Sequence, residues 1–187
     1  MLINGNNNVI IECSTLMNQS EGIVISSGQN NCVIKCESNN NNNDGFFINS
    51  SPNTIFGNIS IQSKNRGILV MAFTSNNNIV KNLICNNSRS GIEIEGFAVV
   101  NVIDSNIVSI NGTDMTDAGI LVQDIAIDNT IRFNKATNNV DFDIEAELGA
   151  EPPKILSTAT NVEIVTRLDC VPKQTLGVST RRVLICF

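Results

Sequence analysis

A glycine followed by a short apolar run recurs along the chain. The phrases are Gly22-Ile23-Val24-Ile25, Gly45-Phe46-Phe47-Ile48, Gly67-Ile68-Leu69-Val70, Gly91-Ile92-Glu93-Ile94 and Gly119-Ile120-Leu121-Val122, with the glycines 23, 22, 24 and 28 residues apart. The first and third residues after each glycine are apolar, as a strand with one face on a core requires. The spacing is too short for alternating strands and helices, and no helical periodicity intervenes. It predicts a stack of small coils, each reading strand, turn, strand, turn.

A second phrase completes each coil. It reads Asn53-Thr54-Ile55-Phe56-Gly57-Asn58, Asn101-Val102-Ile103-Asp104-Ser105-Asn106 and Asn129-Thr130-Ile131-Arg132-Phe133-Asn134, with a looser copy at Asn78-Ile79-Val80-Lys81-Asn82. Asn8–Cys13 and Asn31–Cys36 match as well, with cysteine in the final asparagine slot. Aligning the phrases stacks Ile10, Val33, Ile55, Ile79, Ile103 and Ile131 in one inward column. Stacked coils form parallel sheets around a dry interior, and equivalent residues repeat at the interstrand spacing of about 4.8 Å. Asn58, Asn82, Asn106 and Asn134 then form a ladder of side-chain amides. Asn also tolerates the left-handed backbone that tight turns demand. Cys13 and Cys36 fall in that same column on neighbouring coils, within disulfide reach where the Cβ vectors allow it.

Composition agrees. Hydrophobic residues make up 42% of the 187, enough for a continuous core, while aromatics are only 4% and His, Trp and Tyr are absent. Many short strands joined by tight turns suit a chain rich in Asn, Ile and Val. The net charge of −6 argues against a nucleic-acid partner, which needs a basic face, and against adsorption to anionic membranes. No run reaches the length of a transmembrane helix, so no membrane insertion is expected. The opening residues lack the charged and apolar regions of a secretory signal, so the expectation for location is open: a cell surface or virion as part of something larger. The six cysteines read as reduced, small apolar residues, since the Cys32–Cys36 pair has no second pair and no His to complete a zinc site.

The Gly-Ile-x-Val and Asn-x-Ile-x-x-Asn phrases resemble the right-handed parallel β-helix repeat family, the pectate-lyase-like group of carbohydrate-binding proteins and sugar hydrolases. The resemblance covers about residues 1–143. It implies an all-β fold, a single-stranded right-handed parallel β-helix of about six coils with an irregular C-terminal tail. It implies no single function, because the group spans lyases, hydrolases, epimerases, tailspikes and non-catalytic surface proteins. The resembling hydrolases combine clustered Asp with a His, which this chain lacks.

Candidate chemistry therefore rests on carboxylates. Glu93 and Glu95 point outward on one strand, since Ile92 and Ile94 point inward. With Asp124, one coil on, and the loop residues Asp114 and Asp117, they form a candidate hard-cation or sugar site, with calcium the possible ion; a solvated acidic patch is the competing reading. Replacing Glu93 and Glu95 by Gln is accordingly expected to leave folding intact. Asp104 and Arg132 share a repeat slot in adjacent coils. A lyase reading makes Arg132 the base beside a calcium ligand; the alternative is a surface ion pair between coils. Without Trp or Tyr, the chain also lacks the preferred stacking platform for sugar rings.

The outward slot after each glycine holds Val24, Phe47, Leu69, Glu93 and Leu121. Its four apolar members are either covered by a loop such as 38–43 or by the tail, or form an exposed stripe for side-by-side association, as in trimeric tailspike-like assemblies, or for adhesion to a surface. Beyond Asp143 the pattern fails. Ile144–Leu148 reads as a short helical turn, Glu151-Pro152-Pro153 as a linker, and residues 144–187 as a cap or flap carrying five of the twelve basic residues. No capping helix precedes the first strand, which suggests a fragment of a longer solenoid or an end that meets a partner. The leading expectation is a non-catalytic scaffold, structural, adhesive or carbohydrate-binding, with a polysaccharide or another protein surface as partner. A cation-assisted polysaccharide lyase is the first alternative, and a self-associating assembly subunit the second.

Overall fold

A computed structural model describes residues 1–123, 125–148, 154–159 and 162–166. Within them the chain is a parallel β-solenoid with no helix. The glycine-led strands stack into one eight-stranded parallel sheet, in the order Leu2–Ile3, Ile23–Ile25, Phe46–Ile48, Ile68–Val70, Ile92–Ile94, Ile120–Val122, Ile144–Leu148 and Val162–Thr166. The predicted inward column is in register throughout: Ile10 faces Val33, then Ile55, Ile79, Ile103 and Ile131 in succession.

Each coil carries three strands, not two. The third strands are Ser14–Leu16, Glu37–Asn39, Ile59–Ile61, Leu83–Cys85 and Ile107–Ser109. They and the Asn-led strands merge into one twelve-stranded sheet, because the eight-residue strand Thr130–Thr137 runs through both stacks. The third strand escaped the sequence pattern because its inward column is polar at one end. Thr15, Ser38 and Ser60 stand where Ile84, Val108 and Ala136 stand further along, all of them buried. Ser38 and Ser60 solve their burial by donating to the carbonyls of Gly45 and Gly67, at 2.7 and 3.1 Å.

Most corners of the coils share one device. A single residue in the left-handed conformation bends the chain, and the next residue is in most cases a ladder-forming Asn, with Cys13, Cys36 and Ser63 taking that place at three corners. At the corner before the third strand the bending residues include Lys35, Lys81 and Ser105, with φ of 50°, 55° and 56°, followed by Cys36, Asn82 and Asn106. The ladder asparagines themselves have ordinary φ. Asn is therefore abundant chiefly for its amide, which accepts one coil's backbone N–H through Oδ1 and donates through Nδ2. Asn82 accepts from the N–H and Nδ2 of Asn58, at 2.8 and 3.0 Å, and donates to Asn106 Oδ1 and Ile55 O. Parallel ladders run through Asn31, Asn53, Asn77, Asn101 and Asn129, and through Asn87, Asn111 and Asn139. The first of these uses Asn77, not Asn78, which pairs with Thr54 on the outer face.

The repeating glycine has a steric cause. A Cβ on Gly67 would lie 2.2 Å from Ile84 Cγ2 and 2.6 Å from the Gly91 carbonyl, so only glycine lets the third strand's core residue pack there. Ile144–Leu148, expected as a helical turn, is instead a strand paired with Ile120–Val122, and Lys154–Ala159 pairs with Thr130–Thr137. Residues 149–153, 160–161 and 167–187 of the expected cap lie outside the described residues.

Candidate functional site

The outer face of the glycine-led sheet gathers most of the candidate chemistry. Val24, Phe47, Leu69, Glu93 and Leu121 stand in register, as the repeat predicted. They do not form an exposed stripe: Leu69 and Leu121 are 2% and 7% exposed, and Val24 and Phe47 are half-buried. Glu93 is outward from the core yet only 2% exposed.

What buries Glu93 is Arg66, the residue preceding Gly67. Its Nε and Nη2 donate to the two carboxylate oxygens at 2.6 and 2.9 Å, and Gln123 Nε2 donates to Oε1 at 2.8 Å. Such a two-pronged pair is the strongest geometry available to an arginine. Arg66 also donates its backbone N–H to Asp44 Oδ1 at 3.0 Å, with the guanidinium 3.8 Å from the same oxygen. Asp44 precedes Gly45 and is buried; desolvation pushes its pKa up to about 6, against the pull of Arg66. Glu21 precedes Gly22 in the same slot and accepts from Asn43 Nδ2 at 2.6 Å and from the Ser20 hydroxyl. The slot before the first three repeat glycines thus holds Glu21, Asp44 and Arg66 in neighbouring coils, with Ser90 and Ala118 following. Sequence reading passed over Asp44 and Arg66, although aligning the residues before each glycine would have exposed the juxtaposed charges.

The other candidates are held apart from this cluster by their own bonds. Glu95, half-buried just past the strand Ile92–Ile94 that carries Glu93, accepts from the Ala72 N–H at 3.2 Å. Asp117 is buried and folds its own loop, accepting through Oδ2 from the N–H groups of Thr113 and Asp114, both at 3.1 Å, and through Oδ1 from Arg89 Nε at 3.4 Å. Asp114 is exposed, and Asp124 lies outside the described residues. Among the described residues no group of three or more His, Cys, Asp or Glu side chains is arranged to hold a metal ion. The expected convergence of Glu93, Glu95, Asp114 and Asp117 is therefore not found, because each buried carboxylate is drawn to a nearer donor.

Asp104 and Arg132 do meet across adjacent coils, Nε to Oδ2 at 2.7 Å. Asp104 also accepts from the Ser105 hydroxyl at 2.6 Å. Burial opposes ionisation of Asp104, but those two bonds outweigh it and lower its pKa. Arg132 is about half exposed, so the pair sits at the surface.

One exposed aromatic feature was not anticipated. Phe73 and Phe97 occupy equivalent turns of neighbouring coils and stack with centroids 5.1 Å apart and planes 9° from parallel. They are 81% and 50% exposed, with Ile125, 40% exposed, in the next such turn.

No curated protein sequence matches this chain. A family model for the right-handed β-helix region matches residues 1–163, the stretch that carries the ladders and the stacked strands. In-register parallel coils among the described residues of that stretch agree with it, and the chain belongs to the right-handed β-helix family.

Proposed function

We propose that this chain is a non-catalytic repeat scaffold, whose outer-face charges serve to tie coils together. One observation carries the reading: Glu93, Asp104 and Asp117 are each engaged by an arginine and at least one further donor of the chain. A carboxylate committed in this way is a poor cation ligand and a poor general base, because either role must first break a charge-assisted bond. The family's fold is compatible with a carbohydrate-related role, and the exposed Phe73–Phe97 pair supports an adhesive contact surface.

The test is a calcium titration read by thermal unfolding, with molecular mass recorded chromatographically in the same samples. Melting indifferent to calcium and a monomeric mass are the expected results. A midpoint that rises and saturates with calcium would overturn the reading and bring forward a cation-assisted lyase. A concentration-dependent trimer would make it an assembly subunit instead, and Phe73→Ser would then tell whether the aromatic turn holds the contact.

A further inference from the structure

The asparagine ladder before the third strand does not run the length of the solenoid. Its upper rungs are Cys13 and Cys36, where Asn58, Asn82, Asn106 and Asn134 continue below. Cys36 donates its N–H to Asn58 Oδ1 at 2.8 Å, as a ladder residue should. Cys13 then donates its N–H to Cys36 Sγ at 3.4 Å, so sulfur takes the place of the amide oxygen. Sulfur is a weak acceptor, and a thiol has no second N–H to pass along the column. Reduced cysteines are therefore poorer rungs than asparagine at both positions. What they offer, and asparagine does not, is a covalent bond along the stack.

The backbone places them for it. Strand register is continuous on both sides of the pair, with Ile11 opposite Ile34 and Ser14 opposite Glu37. Cys13 and Cys36 are thus neighbours at the interstrand spacing of about 4.8 Å, inside the range of roughly 4.4–6.8 Å that a disulfide spans between Cα atoms. Both thiols are free. Cys13 is half-buried, whereas Cys36 is fully buried in the core cluster. Of the other described cysteines, Cys32 stands between Val9 and Thr54, and Cys85 between Ile61 and Ser109, so neither faces a thiol in the next coil.

We propose that Cys13 and Cys36 are a thiol modification site that closes into a disulfide between adjacent coils when a low-molecular-weight disulfide is the oxidant. The half-buried Cys13 thiolate attacks one sulfur of the oxidant, forming a mixed disulfide and releasing one thiolate. Cys36, deprotonated in the second step, attacks Cys13 Sγ, forming the Cys13–Cys36 bond and releasing the second thiolate. Two protein thiols are oxidised and one small disulfide is reduced to two thiols. Burial raises the pKa of Cys36, which assigns the first attack to Cys13. The bond fastens the coil of residues 9–25 to that of 31–48.

The experiment equilibrates the full chain with reduced and oxidised glutathione in varying ratio, quenches by alkylation, and maps the peptides by mass. The expected product is a Cys13–Cys36 cross-linked peptide, with a thermal midpoint raised in the oxidised protein and restored by dithiothreitol. Cys13→Ser, which keeps a hydroxyl donor for the Ile11 carbonyl and spares the buried position, should fold and lose both effects. Glutathione adducts on Cys13 without the cross-link would overturn the proposal, as would linkage of Cys13 to another cysteine. A cross-link that leaves the midpoint unmoved would overturn the fastening role.

Discussion

Arg66 closes on Glu93 through two donated hydrogen bonds, 2.6 and 2.9 Å long, on a face where Glu93 has almost no contact with water. The same pairing of charges occurs between Arg132 and Asp104 at 2.7 Å, but there the arginine side chain is 47% exposed against 15% for Arg66. Burial makes these chemically similar pairs energetically different. A buried charge that loses its partner has no water to turn to, whereas an exposed one is resolvated at once.

Arg66→Met should accordingly destabilise the protein by about 3–5 kcal/mol, because it strands the Glu93 carboxylate. Arg132→Met should change stability by no more than about 1 kcal/mol. Urea unfolding of the two variants beside the parent checks both. Equal effects would mean that Glu93 is hydrated in solution. The double change Arg66→Met with Glu93→Met should recover most of the first loss, which a purely steric defect at Arg66 would not allow.

Asp44 makes stability fall with rising pH. Its folded-state pKa of about 6 lies above the ordinary 3.8, so between these values the folded protein binds the extra proton. The contribution is full below about pH 4 and is lost as pH rises through about 6, on the order of 3 kcal/mol for a shift of this size. Asp44→Asn cannot ionise and keeps an amide oxygen for the Arg66 N–H. The difference in unfolding free energy between variant and parent should therefore grow in the variant's favour from pH 4 to pH 7. A difference that stays flat with pH would mean that Asp44 titrates normally.

Asn82→Ala removes an acceptor from two donors, the N–H and Nδ2 of Asn58, and a donor from Ile55 O and Asn106 Oδ1. Each buried group left unpaired costs about 1–3 kcal/mol, so a loss of at least about 3 kcal/mol is expected. Asn78→Ala, exposed at the start of the strand Asn78–Val80 in the same coil, should cost well under about 1 kcal/mol. Thermal midpoints of the two variants distinguish a buried ladder amide from an exposed Asn of the same coil.

In the interior, Ile103→Glu buries an unpaired charge in the central column and should abolish cooperative unfolding. Gly67→Ala should be markedly destabilising despite its small size, because the added carbon meets Ile84 and the Gly91 carbonyl. Circular dichroism during heating tests both. A Gly67→Ala protein that melts like the parent would show that the third strand can move aside.

The sequence by itself determined the solenoid: its repeat, the inward column from Ile10 to Ile131, and the ladder from Asn58 to Asn134. These follow from local rules, since a strand alternates its faces and a stack repeats its slots, so one aligned phrase places every copy. The third strand was not legible, because Thr15, Ser38 and Ser60 look like turn residues until Gly45 and Gly67 are seen to accept the two serine hydroxyls. Only the tertiary structure decided the fate of the charges. Alternation put Glu93 outside, yet exposure depends on what reaches across from the neighbouring coils, and there Arg66 and Gln123 cover it. Asp117 likewise looked like a ligand in a loop, and the loop's own N–H groups claimed it. A carboxylate takes the donor that is nearest in space, and distance in space across coils is the quantity that the order of residues does not carry.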